Sequence, residues 1–236
     1  GLNWGNDTRL TNNSYSSLLP SISSSGSIIH VVWYDNRDGN NEIYYKFSTN
    51  DGITWGLDSR LTNNSATSIY PSISVSGPII HLVWEDFKNG NSDLYYKRST
   101  DAGINWESDV RLTIDPDYST FPSVLVSASN VHIVWIDGRD GNNEVYYKCS
   151  SDGGSSWQSD VRLTNNTSDS ENPFLSVSGT VVNVVWYDYR DGNYELYYKR
   201  NPTGNVIGIL PIGNEIPNFF SLAQNYPNPF NPTTNI

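Results

Sequence analysis

Residues 71–113 read PSISVSGPIIHLVWEDFKNGNSDLYYKRSTDAGINWESDVRLT. Four short runs rich in β-branched and aromatic residues, PSISVS, IIHLVWED, DLYYKRS and WESDVRLT, are parted by Gly, Asn, Asp and Ser, the pattern of four strands joined by tight turns. The arrangement recurs along the chain. Trp4, Trp55, Trp106 and Trp157 stand 51 residues apart, and Trp33, Trp84, Trp135 and Trp186 keep the same interval. The YYK triplets beginning at 44, 95, 146 and 197 and the DxRLT runs beginning at 7, 58, 109 and 160 keep step with them. No stretch carries an apolar period near 3.6, so no helix is expected. Four strands in about 50 residues, repeated, predict an all-β propeller of four-stranded antiparallel blades, with four repeats in residues 1–204.

The turn before the last strand of each repeat reads STNDGITW at 48–55, STDAGINW at 99–106 and SSDGGSSW at 150–157. These runs resemble the Asp box, the BNR repeat of sialidase-like β-propellers. The resemblance assigns box positions to Ser48, Asn50, Gly52 and Trp55, to Ser99, Asp101, Gly103 and Trp106, and to Ser150, Asp152, Gly154 and Trp157, with Asn50 standing where the pattern has Asp. The residue types suit a turn: Ser and Asp oxygens accept backbone N–H bonds, Gly takes a positive φ, and Trp wedges between sheets. In that family the box is structural. Its sialidases clamp a substrate carboxylate with three arginines, whereas the arginines here all fall into repeat series: Arg9, Arg60, Arg111 and Arg162; Arg37, Arg139 and Arg190; Arg98 and Arg200. His30, His81 and His132 likewise share one register, with Asn183 in the fourth repeat, and Cys149 stands alone. No catalytic residue is therefore assigned. A secreted or cell-surface non-catalytic binding or scaffold module, with glycans as the candidate ligand, is the expectation; a sialidase-type glycoside hydrolase and a purely structural or adhesive surface protein are the alternatives.

The hairpins DNRDGNNE at 35–42, DFKNGNSD at 86–93, DGRDGNNE at 137–144 and DYRDGNYE at 188–195 are the richest polar features. A two-residue turn at Asp38 and Gly39 places Asp35 across from Glu42. Those facing carboxylates need a cation, and Arg60 is predicted beside Glu42, which is expected opposite Leu61. The weaker alternative is a calcium site from Asp35, Asp38, Asn40 and Glu42, hard oxygen ligands without the usual loop spacing. Strand alternation puts these hairpins on one rim with the loops at 11–20 and 113–122, which vary most between repeats. Candidate binding residues on that rim are Tyr15, Asp35, Arg37, Tyr70, Tyr118, Phe121, Arg139 and Arg190.

A net charge of −11 with no basic run argues against nucleic acid as partner. Residues 219–236, FFSLAQNYPNPFNPTTNI, resemble the opening of the C-terminal sorting domain of the type IX secretion system. That resemblance implies bacterial export or surface display, the secretion machinery as partner, and residues 205–218 as a linker. The orphan DTRLT at 7–11 and the missing fourth strand after Arg200 predict a ring of four, closed by pairing 7–11 with 195–199 and bringing Arg9 to Glu195; an arc of a larger propeller is the alternative. Family members have six blades.

Overall fold

The computed structural model describes residues 4–203. The expected linker and sorting segment lie outside the described residues. Among the described residues there is no helix; fifteen strands form four separate antiparallel sheets. The first holds β1 (Ser17–Ser25), β2 (Ile28–Asp35), β3 (Glu42–Ser48) and β4 (Ser59–Arg60). The second holds β5 (Ser68–Ser76), β6 (Ile79–Asp86), β7 (Asp93–Ser99) and β8 (Val110–Arg111), and the third β9 (Ser119–Ser127), β10 (Asn130–Asp137), β11 (Glu144–Ser150) and β12 (Val161–Arg162). The fourth has three strands, β13 (Ser170–Ser178), β14 (Val181–Asp188) and β15 (Glu195–Asn201). Strands follow in sequence order within every sheet, as meander blades require.

Successive blades pack face to face through alternating apolar residues. Val83, Leu94 and Tyr96 of the second blade meet Val124, Ile133 and Trp135 of the third. Trp33, Trp84, Trp135 and Trp186 are all buried, as their place in the second strand predicts. Their indole N–H groups donate to Asp35, Asp86, Asp137 and Asp188, giving each core indole its polar partner. At the inner edge the Ser21 and Ser23 hydroxyls accept from the Ile73 and Val75 amides, and Ser72 and Ser74 do the same for Val124 and Val126.

The box turns join blades as well as strands. In the second blade the Ser99 hydroxyl accepts from the Gly103 amide at 2.9 Å, and Asp101 accepts from the Asn105 amide at 2.8 Å. The turn then clamps a tyrosine of the preceding blade: Tyr45 meets Trp106 edge-on at 5.2 Å, and Tyr96 meets Trp157 at 4.9 Å. A Cβ at Gly103 would lie 2.0 Å from Tyr45 Oη, and one at Gly154 the same distance from Tyr96 Oη, so both positions require glycine. The clamped hydroxyls share hydrogen bonds with His30 and His81 at 2.7 and 2.8 Å, and Tyr147 with His132 at 2.7 Å; Asn183 replaces histidine against Tyr198. That pairing accounts for the histidine register.

Two expectations need correction. Asp35 does face Glu42, but the fourth strand is shifted by one: Tyr44 lies opposite Arg60, because the turn closes through the Gly56 amide on the Phe47 carbonyl. The shift gives the Ile43 amide the Thr62 hydroxyl as acceptor and still leaves Arg60 on Glu42 at 2.8 Å. The closed ring of four is not formed, since β15 pairs with β14 alone among the described strands, and residues 7–11 form no strand. Instead the Leu10 carbonyl accepts from Lys46, as the carbonyls of Leu61, Leu112 and Leu163 accept from Lys97, Lys148 and Lys199 of the following blade. Residues 7–11 thus take the outer place beside the first blade, and the repeat contacts propagate rather than close. Arg9 bonds the Thr11 carbonyl, and Glu195 accepts from Asn193. The four sheets form an open arc.

Candidate functional site

The inner strands β1, β5, β9 and β13 each carry the same irregularity. A residue precedes proline at Leu19-Pro20, Tyr70-Pro71, Phe121-Pro122 and Asn172-Pro173, and the pairing to the second strand slips there in every blade. Proline has no N–H to give the ladder, so a bulge at the sheet edge is where it can sit. The preceding residues hold φ of 45°, 51°, 51° and 49°, a region costly for side chains with a Cβ. Four strained bulges therefore converge at the concave inner face, where they line a cavity of about 390 Å³.

The lining is mostly apolar, with Ser21, Ser72, Ser123 and Asn172 as its small polar members, and contains no Lys or Arg. Tyr70 and Phe121 pack as a tilted pair, ring centroids 4.2 Å apart and planes 32° from parallel, and Tyr34 meets Tyr70 edge-on at 6.4 Å. Phe121 remains 39% exposed and Phe174 63%, so aromatic surface is open to solvent. Beneath the pair lies Glu85, 3% exposed, in the register occupied elsewhere by Tyr34, Ile136 and Tyr187. Thr120 donates its hydroxyl to Glu85 Oε2 from the neighbouring blade. Burial pushes the Glu85 carboxyl up, against the opposing pull of Thr120, Ser92 and the Phe121 amide. It forms no salt bridge among the described residues.

Of the candidate residues named from sequence, Tyr70 and Phe121 come together on this face. Tyr118 and Tyr15 do not: the Tyr118 hydroxyl donates to Asn143, its ring lying over Gly138, and Tyr15 is exposed with its amide bonded to Asn13. Arg37, Arg139 and Arg190 are committed to ion pairs with Asp35, Asp137 and Asp188 while their guanidinium groups stack over Tyr44, Tyr146 and Tyr197 at 4.1–4.4 Å. Asp35 is fully buried; burial would raise its pKa, but hydrogen bonds from Arg37, Ser17 and Asn13 outweigh that and hold it well below the carboxylate range. The arginine predicted to neutralise both Asp35 and Glu42 is thus two arginines, Arg37 for the first and Arg60 for the second.

Most of the oxygens considered for calcium are taken up by protein donors, Glu42 Oε2 being buried without one. Asp38 accepts from Tyr44 and pairs with Arg60, Glu42 accepts from Arg60, and the Asn40 amide is tied to Glu42 and to the Asn64 and Ala66 carbonyls. Among the described residues no group of three or more His, Cys, Asp or Glu side chains could hold a metal. Sequence reading passed over the bulge residues Leu19 and Asn172 and the lone Glu85. The signals were present: prolines at the 51-residue interval, and one acidic residue in an otherwise apolar or aromatic register.

No family model matches the chain. Among curated proteins, a Protein TolB homolog of Chlorobaculum tepidum is 36% identical over 83 residues, covering 35% of this chain and 18% of that protein. Among solved structures, Trypanosoma rangeli sialidase in complex with the inhibitor DANA superposes with a TM-score of 0.59 at 15% identity, covering 78% of this chain and 36% of the sialidase. The GH93 alpha-L-arabinofuranosidase of Fusarium graminearum in complex with arabinobiose gives 0.61 at 15% identity, over 80% of this chain and 64% of that enzyme. The chain spans less than two thirds of each of these relatives, 18%, 36% and 64% of their lengths. At such identities the likeness establishes the fold: this is a sialidase-like β-propeller architecture.

Proposed function

We propose that the chain is a glycan-binding module that uses the concave face, acting outside the cell without catalysis. The observation that carries the reading is the close-packed Tyr70 and Phe121 pair at the mouth of a mostly apolar concavity built by four strained bulges. Sugar rings present C–H faces that pack on aromatic rings, and a rigid scaffold with open aromatic surface supplies that platform. The sialidase and arabinofuranosidase among the structural neighbours lend the reading support, since both act on saccharides. Export is proposed on the resemblance of residues 219–236 to a type IX sorting segment, and the box turns at 48–55, 99–106 and 150–157 are proposed as BNR repeats.

A glycan array probed with the labelled chain, followed by calorimetry on the hits, tests this. Binding should be lost in Tyr70→Ala and in Phe121→Ala, with circular dichroism and thermal melts checking that each variant stays folded. Fluorogenic sialoside and arabinofuranoside substrates are assayed in parallel. Turnover of either would establish the hydrolase alternative. Absence of any array hit would leave an adhesive or scaffold role.

A further inference from the structure

Glu85 departs from the repeat at a register where every other blade has an uncharged side chain. Its carboxyl crosses a blade boundary to accept the Thr120 hydroxyl, and it faces the amide of Phe121. Phe121 is one of the four bulge residues at positive φ, a conformation that persists only when its surroundings fix it. Of the four bulges, this is the one whose residue sits over a buried carboxyl of the preceding blade. It is also the one whose ring packs on Tyr70, at 4.2 Å. Tyr70 is the titratable group facing Glu85, and Tyr34 stands behind it. No cation faces the carboxyl among the described residues, and none lines the cavity.

We infer that Glu85 is the positioning residue of the concave face and restricts it to uncharged saccharides. The inference rests on that face being the saccharide site. Two physical effects carry it. Hydrogen bonds to Thr120 and the Phe121 amide hold the bulge so that the aromatic pair is preorganised for stacking. A buried carboxyl with no cation repels a second negative charge in a medium of low dielectric constant, so a uronate or sialate meets an unfavourable field where its neutral counterpart does not. A ligand lying over the pair also displaces the bulk water nearest the buried Glu85, lowering the polarity around its charge, and so favours its protonated form. Affinity for a neutral sugar is therefore highest at low pH, falls once pH passes the carboxyl's pKa in the free protein, and levels off above its pKa in the complex.

The test uses methyl β-galactopyranoside and methyl β-galacturonide as a matched neutral and anionic pair, with binding to the full chain read by saturation-transfer and chemical-shift NMR. The wild type should bind the neutral glycoside with the stated pH profile and the galacturonide on the order of tenfold more weakly, equivalent to about 1.4 kcal/mol. Glu85→Gln keeps an acceptor for Thr120 and Phe121, so it should bind both sugars alike with no pH dependence. Glu85→Ala should bind the neutral glycoside on the order of tenfold more weakly. Neutral and anionic glycosides binding the wild type equally, or a pH profile unchanged in Glu85→Gln, overturns the inference alone. Silence toward both sugars, or binding that survives Tyr70→Ala, overturns it together with the proposed function.

Discussion

Replacing Gly154 by alanine tests how the blades are held together. Gly154 sits at φ +84° in the third box turn, and an added Cβ would lie 2.0 Å from Tyr96 Oη and 2.7 Å from its Cζ. Two costs add. A left-handed conformation costs a residue with a Cβ about 1–2 kcal/mol. Forcing a methyl group into a filled site costs about 1–3 kcal/mol more, because Tyr96 is 1% exposed and held by His81 and Trp157. The expected loss is about 2–5 kcal/mol. Gly52 is the internal control. It holds the same box position at φ +80°, but its added Cβ would meet only Ile29 Cδ1 at 3.5 Å and Trp55 Cζ2 at 3.7 Å, ordinary contacts. Gly52→Ala should therefore show the conformational cost alone, about 1–2 kcal/mol. Urea denaturation followed by tryptophan fluorescence measures both, with equal slopes required so that midpoints compare directly. Equal losses in the two variants would refute the clamp, because the difference between them is the tyrosine contact.

The three buried histidines make a second expectation. Burial lowers His30, His81 and His132 to about 4, below the ordinary value of 6.5, so the folded chain binds fewer protons than the unfolded one between those limits. Their contribution to stability is complete above pH 6.5 and is lost as pH falls toward 4; melting temperatures across that window should decline in the wild type and flatten when all three become asparagine, the residue the fourth blade uses at Asn183. The third expectation concerns the rim ion pairs. Arg162→Ala strands the fully buried Glu144 carboxylate, and should cost about 2–3 kcal/mol, the cost of breaking a buried pair discounted for an arginine side chain that is 29% exposed; the added Glu144→Gln change should restore most of it in thermal denaturation.

The repeat made the fold legible because every blade solves the same packing problem with the same residues. Trp84 and Trp135 fill one slot, Tyr45 and Tyr96 another, and spacing alone identifies them. The identical logic hid the site. Residues recurring at a fixed interval were read as structural, which holds for Arg37, Arg139 and the histidines, yet the bulge prolines also recur, and they build the concave face by being repeated. What differs there is the residue before each proline: Leu19, Tyr70, Phe121 and Asn172 share a backbone conformation but not a side chain. A constant backbone with a variable side chain is the arrangement a scaffold needs to present different groups to one ligand. The choice between a closed ring and an open arc, both readable in the sequence, was undecided for another reason. Sequence complementarity between residues 7–11 and β15 says which strand could pair, whereas the placement of 7–11 is decided by local contacts, Lys46 on the Leu10 carbonyl, that every junction already makes. That contact does not require the outer segment to pair with β15, and residues 7–11 make it without forming a strand. A repeat protein therefore shows its architecture through what its copies share, and its candidate function through the few registers, such as Glu85, where one copy departs.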